Sequence, residues 1–131
     1  MQKGGLPVNI HESAEDYLEA ILRLQILQGQ VRSIDIAREL GFSKPSVSVA
    51  MKRLRENGYI EMAANGSITL LAPGREIAEH IYERHRLLTD FFVALGVSED
   101  VAAADACKIE HDLSDETFSR LQAHASQYLH K

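Results

Sequence analysis

The sequence predicts a mainly α fold in which an N-terminal winged helix-turn-helix, with a small β-hairpin wing, is followed by a helical dimerisation domain. Three observations carry this prediction. Two helical segments are joined by the short turn Gly41-Phe42-Ser43, the spacing of a helix-turn-helix. Apolar periodicity then changes from helical to alternating on either side of Asn65-Gly66, a strong hairpin signal. Beyond Pro73, helical spacing resumes in segments bounded by Gly96, Ser98 and Ser114. The division falls after residue 72, giving a winged-helix domain over 1–72 and a helical domain over 73–131.

The first helix is expected from His11 to Leu27, opened by Ser13 with Asp16 three residues on and closed at Gly29, with Tyr17, Leu18, Ile21, Leu22 and Leu24 on its apolar face. A second, SIDIAREL, has Ser33 as its expected cap and Gly41 as its stop. The third, KPSVSVAMKRLRENG, has Ser43 as cap, Pro45 in the first turn and Gly58 as terminator. Val47, Ala50, Met51 and Leu54 form its core side. The segments YIEM and SITL flank AANG as the wing. A long helix follows from about Pro73 to Leu95, with Ile77, Ile81, Leu88 and Phe92 on one face. Ser98 caps a fifth helix to about His111, and Ser114 caps a sixth in which Phe118, Leu121, Ala125 and Tyr128 recur at helical spacing. These last helices suit self-association.

Composition narrows the function. The chain has 131 residues, 45% hydrophobic and 25% charged, the profile of a folded domain with little room for a large enzyme cleft. The opening MQKGGLPVN lacks the apolar segment of a secretory leader, and no apolar run approaches the roughly 20 residues that span a bilayer. A cytoplasmic location without a membrane partner is therefore expected. The single cysteine, Cys107, excludes an internal disulfide and any all-cysteine metal site within one chain.

A net charge of −5 speaks against nucleic acid only if charge is spread evenly. It is not. Residues 32–58 carry six basic side chains (Arg32, Arg38, Lys44, Lys52, Arg53, Arg55) against three acidic ones (Asp35, Glu39, Glu56), a local +3 in an otherwise acidic chain. Such an island is a phosphate-binding face in the making. In the third helix Ser43, Lys44, Ser46, Ser48, Lys52, Arg53 and Arg55 point away from the core side. Short hydroxyls near a helix N-terminus reach phosphates or base edges, and lysine and arginine neutralise the backbone. Arg32, Pro45 in the first turn and Asn65 at the wing tip complete the candidate DNA face, and double-stranded DNA is its expected partner. The competing account is an ordinary solvated helix face.

A second constellation lies in ACKIEHDLS, where Cys107, Glu110 and His111 stand at i, i+3 and i+4. On a helix these project together, and all three are metal-ligand types. A helix end with one buried thiol and two surface polar groups explains them equally well at this point. His85 stands in the apolar stripe between Ile81 and Leu88 and needs a polar partner, either as a ligand or as a satisfied core histidine. Asp16 and Glu19 are one turn apart on the first helix, and Glu19 precedes Arg23 by four residues, as a salt-bridged surface face would have it. Cys107 and His111 do not read as a nucleophile and base, because no oxyanion motif or orienting third residue accompanies them. No small-molecule substrate and no enzymatic activity are expected.

Taken together, SAEDYLEAI, IDIARELGFSKPSVSVAMKRLRENGYI, ERHRLLTDFF and CKIEHDLSDE resemble the family of the diphtheria toxin repressor and the manganese transport regulator, over nearly the whole chain. The resemblance implies a metal-dependent transcriptional repressor that binds operator DNA as a homodimer when a divalent metal bridges its two domains. A metal-independent winged-helix DNA-binding or protein-interaction module is the alternative. Asp16, Glu19, His85, Cys107, Glu110 and His111 become counterparts of metal ligands. Asp16 and Glu19 resemble the manganese branch, Cys107 resembles the iron branch, and Thr89 stands where the iron branch has a glutamate of its ancillary site. The cofactor implied is Mn2+ or Fe2+, one or two per chain, with Zn2+ or Co2+ binding in vitro. Because the sequence ends at Lys131, the additional C-terminal domain of the larger iron regulators is expected to be absent.

Overall fold

In the computed structural model, the backbone of residues 8–128 and the side chains of residues 14–127 are described. The opening MQKGGLP and the side chains of His11, Ser13 and Tyr128 lie outside that range. The described elements are α1 (Val8–Gln28), α2 (Ser33–Leu40), α3 (Lys44–Glu56), β1 (Ile60–Met62), β2 (Ile68–Leu70), α4 (Ala72–Ala94), α5 (Glu99–Ile109) and α6 (Asp115–Tyr128). The chain divides into two compact units, residues 1–80 and 81–131, with α4 running through the division.

In the first unit, α1 begins earlier than expected, at Val8. Ser13 is therefore inside the helix rather than at its start. Pro7 is the last helix breaker before it, so nothing in residues 8–12 stops the helix from extending backwards. α2 also departs from expectation, because Arg32 rather than Ser33 is its N-cap. Asp35 reaches back to accept the Arg32 backbone N–H at 2.9 Å, and the Arg32 carbonyl accepts from the Asp35 and Ile36 amides. At its far end Gly41 adopts φ 72°, a conformation open to glycine at no steric cost. The Gly41 and Phe42 amides both close on the Ala37 carbonyl. α3 follows the sequence closely: Ser43 Oγ accepts the Ser46 amide, proline occupies the first turn, and the Asn57 amide closes the helix on Arg53. Val47, Met51 and Leu54 are buried, while Ala50 is half-buried.

The hairpin pairs Ile60 with Leu70, Glu61 with Thr69 and Met62 with Ile68. Ile60, Ile68 and Leu70 are buried, while Glu61 and Thr69 face solvent, the alternation of a one-sided ribbon. Its turn closes through Gly66 N–H to Ala63 O and Ala63 N–H to Ser67 O, both at 2.9 Å. Asn65 keeps a negative φ, while Gly66 sits at φ 88°. This is a turn followed by a left-handed glycine, with Asn65 Oδ1 accepting the Ser67 amide. The Ile68 amide donates to Val31 O at 2.8 Å, tying the wing to the segment between α1 and α2. The core of this unit gathers Leu18, Ile21, Leu22, Val31, Ile36, Val47, Met51, Ile60 and Ile68.

In the second unit, α4 ends at Ala94, and Gly96 two residues on adopts φ 108°. Ser98 is the backbone N-cap of α5 without a side-chain hydrogen bond, and Ser114 caps α6 by accepting the Thr117 amide at 3.0 Å. Ile81, Leu88, Ala102, Ala106, Phe118 and Ala125 are buried here, together with two polar residues, Arg84 and Glu110. No helix of the described residues is long and apolar enough to cross a membrane.

Candidate metal centre and DNA face

The fifth helix stops at Ile109, two residues short of the expected His111. Glu110 is its C-cap, and His111 stands in the following turn. The expected arrangement of Cys107, Glu110 and His111 on one helix face is corrected accordingly. The Glu110 backbone is still helical, its amide bonded to the Ala106 carbonyl, so Cys107 and Glu110 remain on one side. Cys107 is exposed, and the account of it as a buried thiol does not hold.

Glu110 is the centre of the arrangement. It is fully buried, which for a carboxylate demands compensation. Oε1 lies 2.9 Å from Nδ1 of His85 on α4, and Oε2 lies 3.5 Å from Nε2 of His111. Among the described residues Oε2 nevertheless has no hydrogen-bond donor. Ligand atoms of His85, Cys107 and Glu110 all fall within 4.8 Å of one another. The buried Glu110 carboxylate, with His85 and the Cys107 sulfur in one cluster and His111 beside its other oxygen, is a donor set that fits a divalent first-row metal. The histidine of the α4 stripe thus faces a ligand-type carboxylate.

Asp16 and Glu19 lie one turn apart on α1 in the first unit. Glu19 is buried, at 1% exposure, and its Oε2 is 3.8 Å from Arg23 Nε. Arg23 also reaches Glu39 at 3.0 Å, so the expected i, i+4 pair exists but its carboxylate is not a surface group. Beside them the Tyr17 phenol, edge-on to Phe42, is pushed above its usual range by burial and further by the Asp16 carboxylate.

On α3, Ser43, Lys44, Pro45, Ser46, Ser48, Lys52 and Arg53 are all exposed, as are Arg32 at the start of α2 and Asn65 at the wing tip. Arg55, though exposed, turns towards the wing, with Nη1 3.8 Å from Met62 Sδ. Val49 stands among the polar residues at 55% exposure and was not singled out by the sequence.

Arg84 was missed altogether. It is buried, its Nη1 donates to the carbonyls of Glu110 at 3.0 Å and Leu113 at 2.6 Å, and its Nη2 donates to Asp115 at 2.6 Å. The guanidinium lies 5.1 Å over the Phe118 ring. The signal was available, because Ile77, Ile81, Arg84 and Leu88 follow the spacing of an inward stripe, and an arginine there must find acceptors.

Residues 9–67 match the N-terminal DNA binding domain of the iron dependent repressors, and residues 72–129 match their metal binding and dimerisation domain. The transcriptional regulator MntR of Salmonella typhimurium is 37% identical over 117 residues, covering 89% of this chain and 74% of the relative. An uncharacterized HTH-type transcriptional regulator of Methanocaldococcus jannaschii is 34% identical over 122 residues, covering 92% of this chain and 98% of its own. Among solved structures, a manganese-dependent transcriptional repressor in complex with manganese superposes with a TM-score of 0.77 at 34% identity, over 85% of this chain and 51% of that one. IdeR of T. acidophilum gives a TM-score of 0.76 at 25% identity, over 84% and 52%. The chain thus spans about half the length of these two structures. These relatives are transcriptional regulators rather than enzymes, and the chain belongs to the iron-dependent repressor family.

Proposed function

We propose that this protein is a metal-dependent transcriptional repressor that binds double-stranded operator DNA as a homodimer when manganese or iron is bound. The observation that carries the proposal is the buried Glu110 carboxylate, with one oxygen lacking a donor and two histidines and a cysteine around it. A buried acceptor left unsatisfied costs about 1–3 kcal/mol, and a cation in its place would remove that cost. His85, Cys107, Glu110 and His111 would hold the ion, with Asp16 and Glu19 as further ligands. When bound, the metal supplies a concentrated positive charge that carboxylate, imidazole and thiolate can share. Carboxylates suit manganese and iron, whereas the thiolate moves preference towards iron, cobalt or zinc. Zinc and cobalt are expected to bind in vitro, with one or two ions per chain.

Residues 1–72 would act as the DNA-binding domain and residues 73–131 as the metal-binding and dimerisation domain. Ligands contributed from both would couple metal occupancy to the winged helix. In the dimer, α3 and its two-fold mate would be restricted to a separation near one DNA turn, about 34 Å. Less ordering then remains to be done on binding, and affinity rises. Ser43, Lys44, Pro45, Ser46 and Ser48 would enter the major groove, while Arg32, Lys52, Arg53 and Asn65 hold phosphates.

The test is a mobility shift of promoter DNA against manganese, anaerobic iron, zinc and chelator, with Glu110→Ala and His111→Ala as controls. Metal should raise affinity for wild type and not for either variant. Equal binding in chelator and metal would identify a metal-independent winged-helix module instead.

A further inference from the structure

Helix α4 presents two neighbouring side chains to one turn of the second unit, and they do different things there. His85 meets the Glu110 side chain. Arg84 meets the main chain, gripping the Glu110 and Leu113 carbonyls with one nitrogen and Asp115 with another. The two carbonyls bracket the segment that carries Glu110 and His111, so the guanidinium spans the turn from its first residue to its last.

Burying a guanidinium is costly unless its donors are used. Arg84 is 4% exposed, and its Nε has no acceptor. The unit therefore tolerates an orphan donor while keeping both Nη groups on the turn. The Glu110 carbonyl is taken by the guanidinium, and the helix stops at Ile109 with no glycine in the segment KIEHDLS.

We propose that Arg84 is the positioning residue of the metal centre. By clamping the carbonyls on either side of His111 it holds the Glu110 carboxylate against His85 and the His111 imidazole against Glu110 before an ion arrives. A preorganised ligand set binds more tightly because less ordering accompanies binding. Lysine cannot replace it, since a single ammonium lacks the planar fork that reaches both carbonyls and Asp115 at once.

The proposal rests on the metal centre described above, and the experiment separates the two. Wild type, Arg84→Lys, Asp115→Asn and Leu88→Ala, all as the full chain, are titrated with Mn2+ and with Co2+ under anaerobic conditions. The readouts are dissociation constants, the thiolate-to-cobalt absorption of Cys107 and the melting of each metal-free protein. Arg84→Lys should fold and lose about 10- to 100-fold in affinity, as removal of an outer partner of metal ligands does, with a changed cobalt spectrum. Asp115→Asn should show a smaller loss in the same direction. Leu88→Ala removes a buried side chain of the same unit that is not part of the clamp, so its melting should fall while its affinity stays at the wild-type value. Wild-type affinity and spectrum in both Arg84→Lys and Asp115→Asn would overturn the positioning role alone. So would a loss in Leu88→Ala matching that in Arg84→Lys. If Arg84→Lys does not fold, Asp115→Asn decides the matter by itself. Absence of metal binding by wild type would overturn the centre as well.

Discussion

Nδ1 of His85 and Oε1 of Glu110 stand 2.9 Å apart, and the Glu110 carboxylate is fully buried. Glu110→Gln keeps the shape and removes the charge. The metal-free variant should melt at or above wild type, because an amide is cheaper to bury than a carboxylate. Wild type should gain about 2.7 kcal/mol when manganese is present at 100 times its dissociation constant, and the variant should gain almost nothing. Thermal melting in manganese and in chelator measures both. An equal metal-induced rise in the two proteins would exclude Glu110 as a ligand.

Gly74 in the first turn of α4 packs against Tyr59. A Cβ there would lie 2.2 Å from the Tyr59 carbonyl oxygen, which already accepts the Leu71 amide. Alanine normally stabilises a helix relative to glycine by up to about 1 kcal/mol. Here the clash should dominate, and Gly74→Ala should destabilise the protein by about 1–3 kcal/mol. Urea unfolding followed by circular dichroism checks the sign, and a stabilised variant would contradict the packing.

The winged helix was legible because its signals are local. Ser43, Pro45, Gly41 and Gly66 each act within a few residues of themselves, and each stands where the sequence placed it. The starts of α1 and α2 were misplaced for the converse reason: a serine can cap but need not, and Asp35 capped α2 from inside it. In the candidate metal centre the spacing of Cys107, Glu110 and His111 was visible while their backbone was not. The Glu110 carbonyl is held by an arginine 26 residues earlier in the chain, and no window of local sequence contains both partners. The depth at which Glu110 lies is likewise a product of packing.

Tyr17 gives the pH dependence. Its phenol is raised above the ordinary value of 10.0 by burial, with Asp16 adding to the effect. A raised folded pKa means that the folded chain holds its proton longer than the unfolded one. The stabilisation is complete below pH 10 and is lost as pH rises through the folded value. Phenolate absorbance should therefore show a tyrosine step above the ordinary value of 10.0, contributed by Tyr17. Tyr17→Phe should remove that late step and flatten the alkaline loss. Persistence of the step in the variant would assign it elsewhere.

The basic residues of α3 differ in where they point, and salt dependence of DNA binding can tell them apart. Lys52 and Arg53 are exposed, whereas Arg55 turns back towards Met62. Alanine in place of a phosphate-binding side chain weakens binding to every sequence alike. It also lowers the slope of log affinity against log salt by about 0.9. In the proposed metal-loaded dimer each substitution occurs twice, so Lys52→Ala and Arg53→Ala should each lower the slope by about 1.8. Arg55→Ala should change it much less. Fluorescence anisotropy with operator and scrambled duplexes over a salt series measures all three. If Arg55→Ala shifts the slope as far as the other two, the phosphate-facing side of α3 extends around to the wing, and the division drawn from its orientation is wrong.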